Sequence, residues 1–106
     1  MAQTLWNSTQ ILELLAESAR IALRCFRNGS WRLKHDGSLI TEADEAVEAM
    51  LADELDHPDQ GSFLLGEETV CDKDESYLGD AFENVAWVVD PIDGTAPFAN
   101  GFTGWG

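Results

Sequence analysis

The feature that most constrains this chain is an apolar run, Val85–Val89, followed directly by Asp90, Pro91 and Asp93. Five consecutive apolar residues ahead of turn-forming residues predict a buried strand. Pro91 fixes its backbone φ and Gly94 closes the turn, so both carboxylates leave the strand on a rigid segment. The fold must therefore place two acidic groups at the edge of an apolar core.

Two amphipathic helices are predicted ahead of this strand. The first covers residues 8–27, with Asn7 or Ser8 as its cap and Gln10 placed to complete a capping box from Asn7. The second runs from a capping box at Thr41 until just before His57. Apolar residues three and four apart define the face that each helix buries. These predicted stripes are Ile11, Leu15, Ala19, Ala22 and Phe26 in the first helix, and Ala43, Val47, Met50, Leu51 and Leu55 in the second.

Shorter segments complete the predicted order of elements. Residues 30–40 are expected to be extended with a turn at Asp36-Gly37, and Asn28-Gly29 ends the first helix. Residues 61–66 predict a strand, and the acidic residues 69–83 predict a surface loop or a weak helical turn. This order favours an α+β fold with the helices on one face of a sheet.

Charge is distributed unevenly along the chain. Residues 1–34 hold five Lys and Arg against two Glu, whereas residues 35–106 hold eighteen acidic residues and one base, Lys73. Acidic groups at this density repel one another unless water solvates them or a divalent cation lies among them. The net charge of −14 argues against nucleic acid and anionic membranes as partners. No apolar stretch approaches the ~20 residues of a membrane-spanning helix.

The two cysteines do not have the spacing of a zinc site or a redox pair. Cys25 and Cys71 lie outside any CxxC or Cys/His arrangement, and no secretory signal is visible. They are therefore expected to be free thiols, buried by packing, in a reducing cytoplasm.

Acidic side chains at two strand ends form the candidate site. Glu67 follows one predicted strand, and Asp90 and Asp93 follow the other, so together they suit a two-metal carboxylate site with Asp90 as the bridge. The N–H groups of Gly94 and Thr95 would then face a phosphate. Taken singly, each motif has a plainer interpretation: a surface turn at 90–94, a solvated loop at 67–68, and a helix cap at 41–44.

Three motifs occur in one order along the chain: Lys34–Asp44, Gly66-Glu67-Glu68 and Trp87–Thr95. They resemble, in turn, the K-x-D-x-S-x-V-T-x-A-D, G-E-E and W-x-x-D-P-I-D-G-T motifs of the inositol monophosphatase family of magnesium-dependent, lithium-sensitive phosphatases. The resemblance implies a layered fold in which two helices pack on an antiparallel sheet. Residues 1–106 would form the N-terminal, metal-binding portion of such a phosphatase.

The resemblance also implies a set of metal ligands. The carboxylates of Glu67 and Asp90 and the backbone carbonyl of Ile92 would hold a first Mg²⁺. Asp90 and Asp93 would hold a second, together with an Asp from the family's C-terminal half. A third, weaker Mg²⁺ would lie near Glu67, with Glu68 close enough to help.

The same resemblance assigns the remaining roles at the site. Thr95, hydrogen-bonded to Asp44, would orient and activate the attacking water. The N–H groups of Gly94 and Thr95 would hold the phosphate, and Lys34 would lie at the lip of the site, either functional or simply solvated. The substrate would be histidinol phosphate or inositol monophosphate, acted on in the cytoplasm by a protein that often forms homodimers in this family.

Two departures from the family pattern bear on activity. Pro97 stands where Asn is usual, which the first turn of a helix tolerates at the loss of an Asn hydrogen bond. The chain is also less than half as long as a family member and lacks the last Asp ligand, so weak or no turnover is expected from these 106 residues alone. The alternative is a truncated or degenerate metal-binding module without catalysis. An acidic calcium-binding protein is a third interpretation, which the absence of EF-hand spacing disfavours.

Overall fold

Capping boxes begin both long helices, as predicted. The computed structural model describes residues 7–26, 31–34, 39–101 and 103–106, with α1 at Ser8–Cys25 and α2 at Glu42–Leu55. Asn7 Oδ1 accepts the Gln10 N–H at 2.9 Å, and the Gln10 side chain accepts the Asn7 N–H at 2.9 Å. Thr41 and Asp44 form the same arrangement at α2. Each box satisfies N–H groups that the first helical turn leaves without partners.

The described residues contain four strands, which form two separate pairs. β1 (Trp31–Leu33) lies antiparallel to β2 (Leu39–Thr41), and β3 (Ser62–Gly66) lies parallel to β4 (Val85–Val89). The predicted α+β class is confirmed. The antiparallel arrangement holds for β1 and β2 and is wrong for β3 and β4.

A helix within the acidic segment explains the parallel pairing. Residues 69–83, expected to be a loop or weak turn, contain α3 (Glu75–Glu83), whose first turn is capped by the Asp74 side chain accepting the Tyr77 N–H. Parallel strands need a long crossover connection, and α3 supplies it. Short 3₁₀ turns at Pro58–Gln60 and Val70–Asp72 and a final helix, α4 (Thr95–Ala99), complete the structure.

Two apolar clusters hold these elements together. One joins α1, α2 and α4, and the other packs α1 and α2 against β3 and β4. The buried members are Ala22, Ala43, Ile92 and Phe98 in the first cluster, and Val47, Leu51, Leu55 and Leu64 in the second.

The buried face of α1 includes part of the predicted stripe: Ala22 is buried, Phe26 packs on the first cluster and Ile11 is half-buried. Leu15 is 58% exposed and Ala19 is also exposed, whereas Leu14 and Ile21 pack on the second cluster. Several adjacent apolar residues in α1 permit either face, and contact with α2 decides between them. In α2 the predicted stripe is buried except for Met50, which is half-buried.

β4 is a strand, as predicted, but it is not fully buried. Trp87 and Val89 pack on the second cluster, whereas Val88 is 82% exposed and Val85 is also exposed. Side chains alternate between the two faces of a strand, and the helices cover one face only. In the described part of the chain, β3 is the one strand paired with β4.

Tyr77 anchors the crossover helix to β3. Its hydroxyl donates to Asp56 Oδ1 at 2.6 Å, accepts the Leu64 N–H at 2.9 Å and lies 3.0 Å from the Leu64 carbonyl oxygen. Burial, together with the hydrogen bond to Asp56, raises the pKa of Tyr77 to about 12. The phenol therefore links α3, β3 and the end of α2.

The remaining sequence predictions have mixed outcomes. Cys25 is half-buried, and burial and the Glu42 charge raise the pKa of its thiol, whereas Cys71 is exposed, so the predicted burial is wrong for Cys71. The turns predicted at 28–29 and 36–37 lie outside the described residues. Among the helices that the structure describes, none has the length and apolarity to cross a bilayer.

Candidate active site

The carboxyl ends of β3 and β4 bring Glu67 and Asp90 together. The Glu67 N–H donates to the Val89 carbonyl at 3.0 Å, which extends the parallel pairing one residue beyond β3. A hydrogen bond between the two carboxyl groups raises the pKa of Asp90, and burial and the Glu67 charge act in the same direction. Glu67 and Asp90 therefore lie next to each other, and both line an open cavity whose other lining residues are mainly apolar residues of β3 and β4.

Lys34 lies beside this acidic pair. Its Nζ is 3.6 Å from Glu67 Oε1 and 3.3 Å from Glu68 Oε2. The Glu68 side chain is 6% exposed, and its burial raises the pKa of Glu68 while the Lys34 charge opposes that shift. Lys34 therefore lies at the site and partly neutralises it.

A buried hydrogen-bonded group connects α2 with the start of α4. Asp44 is fully buried, and its Oδ2 accepts the Thr41 N–H at 2.7 Å and the Thr41 hydroxyl at 2.8 Å. Its Oδ1 lies 3.3 Å from Thr95 Oγ1, which is also 3.1 Å from the Ile92 carbonyl oxygen. The hydrogen bond expected between Thr95 and Asp44 is present, and Asp44 serves as a helix cap at the same time.

The two hydrogen-bonded groups are electrostatic neighbours. The negative charge of Asp44 contributes to the raised pKa of Glu68. Glu68 in turn lies beside Glu67, since both contact Lys34. The pair of Asp44 and Thr95 therefore lies in the same region as the strand-end carboxyls. Residues from α2, β3, β4 and α4 thus contribute to one site.

The turn after β4 has the geometry that its Gly requires. Gly94 has φ of +80°, and a Cβ there would lie 3.1 Å from the Gly104 carbonyl oxygen. The backbones of Asp93 and Gly106 exchange hydrogen bonds of 2.5 and 2.9 Å. Pro97 is the third residue of α4, where a helix has no acceptor for an N–H, so the helix forms despite the departure from the family pattern.

Asp93 is exposed and does not join the acidic pair as a third member of a cluster. Among the described residues, no three or more His, Cys, Asp and Glu side chains are grouped so that they could hold a metal ion. Three carboxylates around one point repel one another unless a cation compensates their charge. This repulsion is consistent with a site in which Glu67 and Asp90 are adjacent and Asp93 lies apart from them. Two adjacent carboxyl groups are nevertheless hard oxygen donors of the kind that divalent cations prefer, and they fit such an ion.

Sequence reasoning missed one acidic side chain next to the site. Glu48 is 2% exposed and its Oε1 accepts the Glu68 N–H at 2.9 Å. The available signal is its spacing: Glu48 follows Asp44 by four residues, which places both on one face of α2. That face is the predicted apolar stripe, where an acidic residue is unusual.

The comparisons with known proteins agree with the three sequence motifs. The sequence model of the inositol monophosphatase family matches residues 6–106. Inositol monophosphatase 1 of Sus scrofa is 41% identical over 64 residues, which cover 60% of this chain and 22% of that protein. Inositol monophosphatase 3 of Solanum lycopersicum is 33% identical over 98 residues, covering 88% of this chain and 35% of that protein.

One similar protein is not named as an inositol monophosphatase. A glucose-1-phosphate thymidylyltransferase of Streptomyces griseus is 36% identical over 102 residues, covering 94% of this chain and 37% of that protein. No solved structure matches. The chain spans between about a fifth and two fifths of the length of these relatives. Because the family's sequence model covers nearly all of it, the chain belongs to the inositol monophosphatase family.

Proposed function

We propose that this protein takes part in the Mg²⁺-dependent hydrolysis of a small phosphate monoester by an activated water molecule. The observation that carries the proposal is that Glu67 and Asp90 follow two paired strands and line one cavity, with the buried Asp44 hydrogen-bonded to Thr95 nearby. Paired carboxylates suit a divalent cation, and a hydroxyl on a buried carboxylate suits the positioning of water. Metal-dependent hydrolysis of a phosphate ester needs both features, the bound cation and the positioned water.

The residues that would hold the metal are those at the two strand ends. Glu67, Asp90 and the Ile92 carbonyl would bind the first Mg²⁺, Asp93 would join Asp90 at a second, and Glu68 would assist a third. Bound Mg²⁺ lowers the pKa of a water molecule and stabilises negative charge on the leaving oxygen. Lys34 lies against Glu67 and Glu68, so it would have to share these carboxylates with the incoming cation.

Thr95 and Asp44 are suited to orient the water. Asp44 Oδ1 and the Ile92 carbonyl are both acceptors, so the Thr95 hydroxyl hydrogen points to one of them and an oxygen lone pair is left for a hydrogen of water. Asp44 is held rigidly by two hydrogen bonds from Thr41 and would receive the water's proton through the Thr95 hydroxyl. The N–H groups of Gly94 and Thr95 would contact the phosphate.

The substrate proposal rests on residues 34–44, Gly101 and the Trp105-Gly106 ending, which resemble the histidinol-phosphatase branch of the family most, with the bacterial inositol monophosphatases next. We propose histidinol phosphate or an inositol monophosphate, and the names of the Sus scrofa and Solanum lycopersicum relatives support the second. A free metabolite of this kind suits a cytoplasmic enzyme, and a homodimer is the assembly that the family resemblance favours.

Release of inorganic phosphate tests the proposal. Any phosphate that the protein releases from histidinol phosphate or inositol 1-phosphate should require Mg²⁺ and stop when EDTA removes the metal, whereas a protein that binds Mg²⁺ and releases none fits the metal-binding module without catalysis. Asp93→Asn should lower the rate by roughly 10²-fold, since it removes one charge that the reaction needs. Asp59→Asn, which removes an exposed carboxylate in a 3₁₀ turn, is the matched control and should leave the rate unchanged. Activity that persists in EDTA, or an undiminished Asp93→Asn protein, contradicts the metal mechanism.

A further inference from the structure

The Glu48 carboxylate occupies space that glycine leaves open at the end of β3. A Cβ on Gly66 would lie 2.2 Å from Glu48 Cδ and 2.3 Å from its Oε1. Any side chain at this position would displace the carboxylate. The close approach therefore couples the last residue of β3 to the middle of α2.

The same carboxylate holds the backbone that carries Glu67 and Glu68. The Glu67 N–H is bound by the Val89 carbonyl of β4, and the next N–H, that of Glu68, is bound by Glu48 Oε1 at 2.9 Å. Two consecutive N–H groups thus have acceptors on two different elements. This arrangement fixes the peptide plane between them, and with it the directions in which the two Glu side chains leave the backbone.

Glu48 has no other evident function in packing. Its Oε2 is the one buried side-chain oxygen or nitrogen without a hydrogen-bond partner among the described residues. A buried carboxylate with one unsatisfied oxygen costs stability, so an apolar residue would be the better choice for packing alone. The residue is explained if its acceptor is needed at the site.

We propose that Glu48 is a positioning residue for the metal site: it orients the Glu67-Glu68 segment so that the Glu67 carboxyl meets Asp90. This inference rests on the proposed function, because it presumes that the strand-end carboxyls bind a divalent cation. Glu48 acts through the backbone and touches neither metal nor substrate. Residues that orient metal ligands commonly change metal affinity by about 10- to 100-fold when they are replaced.

The test combines two measurements on the full chain. Amide hydrogen exchange by NMR reports the Glu68 N–H without metal, and Mn²⁺ titration followed by electron paramagnetic resonance reports the site. Glu48→Asp withdraws the acceptor by one methylene, so Glu68 exchange should accelerate about 10- to 100-fold and the Kd for Mn²⁺ should rise by a similar factor. Glu48→Gln keeps an acceptor oxygen in place and should behave like Glu54→Gln, which removes an exposed charge from the same helix.

Each outcome decides the matter. Unchanged Glu68 exchange in Glu48→Asp, or faster exchange with an unchanged Kd for Mn²⁺, overturns the positioning role. A Glu48→Gln protein that loses Mn²⁺ affinity relative to Glu54→Gln also overturns the positioning role, because the negative charge of Glu48 would then be needed. This comparison tests the proposal even if the Glu48→Asp protein does not fold. An unsubstituted protein that binds no Mn²⁺ instead refutes the proposed function, which separates the two failures.

Discussion

The close contact between Gly66 and Glu48 gives a prediction whose size follows from the geometry. In Gly66→Ala the new Cβ would lie 2.2 to 2.6 Å from the three terminal atoms of Glu48, so the carboxylate must move and its hydrogen bond from Glu68 is lost. A hydrogen bond to a charged group contributes about 1.5–3 kcal/mol. The preference of strands for Ala over Gly offsets about 0.5–1 kcal/mol. We therefore expect the free energy of unfolding to fall by about 0.5–2.5 kcal/mol.

Urea denaturation of a double-mutant cycle measures this coupling. Glu48→Ala vacates the space, so adding Gly66→Ala to it should cost nothing, or should stabilise the protein by up to about 1 kcal/mol. Gly79→Ala is the matched control: a Cβ there meets nothing within 4 Å, so this change should have the same small stabilising effect with and without Glu48. If Gly66→Ala costs as much in the Glu48→Ala protein as in the original, the steric argument is wrong.

Three further predictions concern Tyr77 and Asp44. Tyr77→Phe removes the hydroxyl that joins Asp56 to Leu64, so the free energy of unfolding should fall by about 1.5–3 kcal/mol in urea, and an unchanged midpoint would contradict this. Because folding raises the pKa of Tyr77 to about 12 from about 10, the contribution of Tyr77 to the free energy of unfolding is complete below pH 10 and is lost as the pH rises toward 12. Melting temperatures measured across this pH range should show the decline, and Tyr77→Phe should abolish it. Asp44→Asn should lower phosphate release by roughly 10²-fold or more, and adding Thr95→Val should cost little further, whereas additive losses would show that the two residues act separately.

Local interactions explain which predictions from sequence succeeded. The capping boxes at Asn7 and Thr41 need residues three positions apart only, so their side chains and the helix starts can be read from short segments. The convergence of Glu67 and Asp90 also needs β3 and β4 to be parallel, because only parallel strands end at the same edge of a sheet; α3, which the sequence did not predict, makes that pairing possible. The resemblance to the family connects these residues with Thr95 and Asp44, and the structure contains the hydrogen bond that it implies.

The errors arise where neighbours decide the outcome. Val88 and Val89 are the same residue type, but Val89 lies on the side of β4 that packs on the second cluster and Val88 lies on the exposed side. Leu14 and Leu15 present the same ambiguity on α1. Glu48 was missed because hydropathy counts a carboxylate as a surface group, whereas its burial depends on the room left by Gly66 and on the Glu68 N–H.

The phenol on the crossover helix has a consequence for how this sheet can grow. Both hydrogen-bonding groups of Leu64 point away from β4 and meet the Tyr77 hydroxyl, which stops another chain from docking along that margin of β3. An additional strand could pair with this margin of β3 only after the phenol had been displaced, so the crossover helix protects that edge.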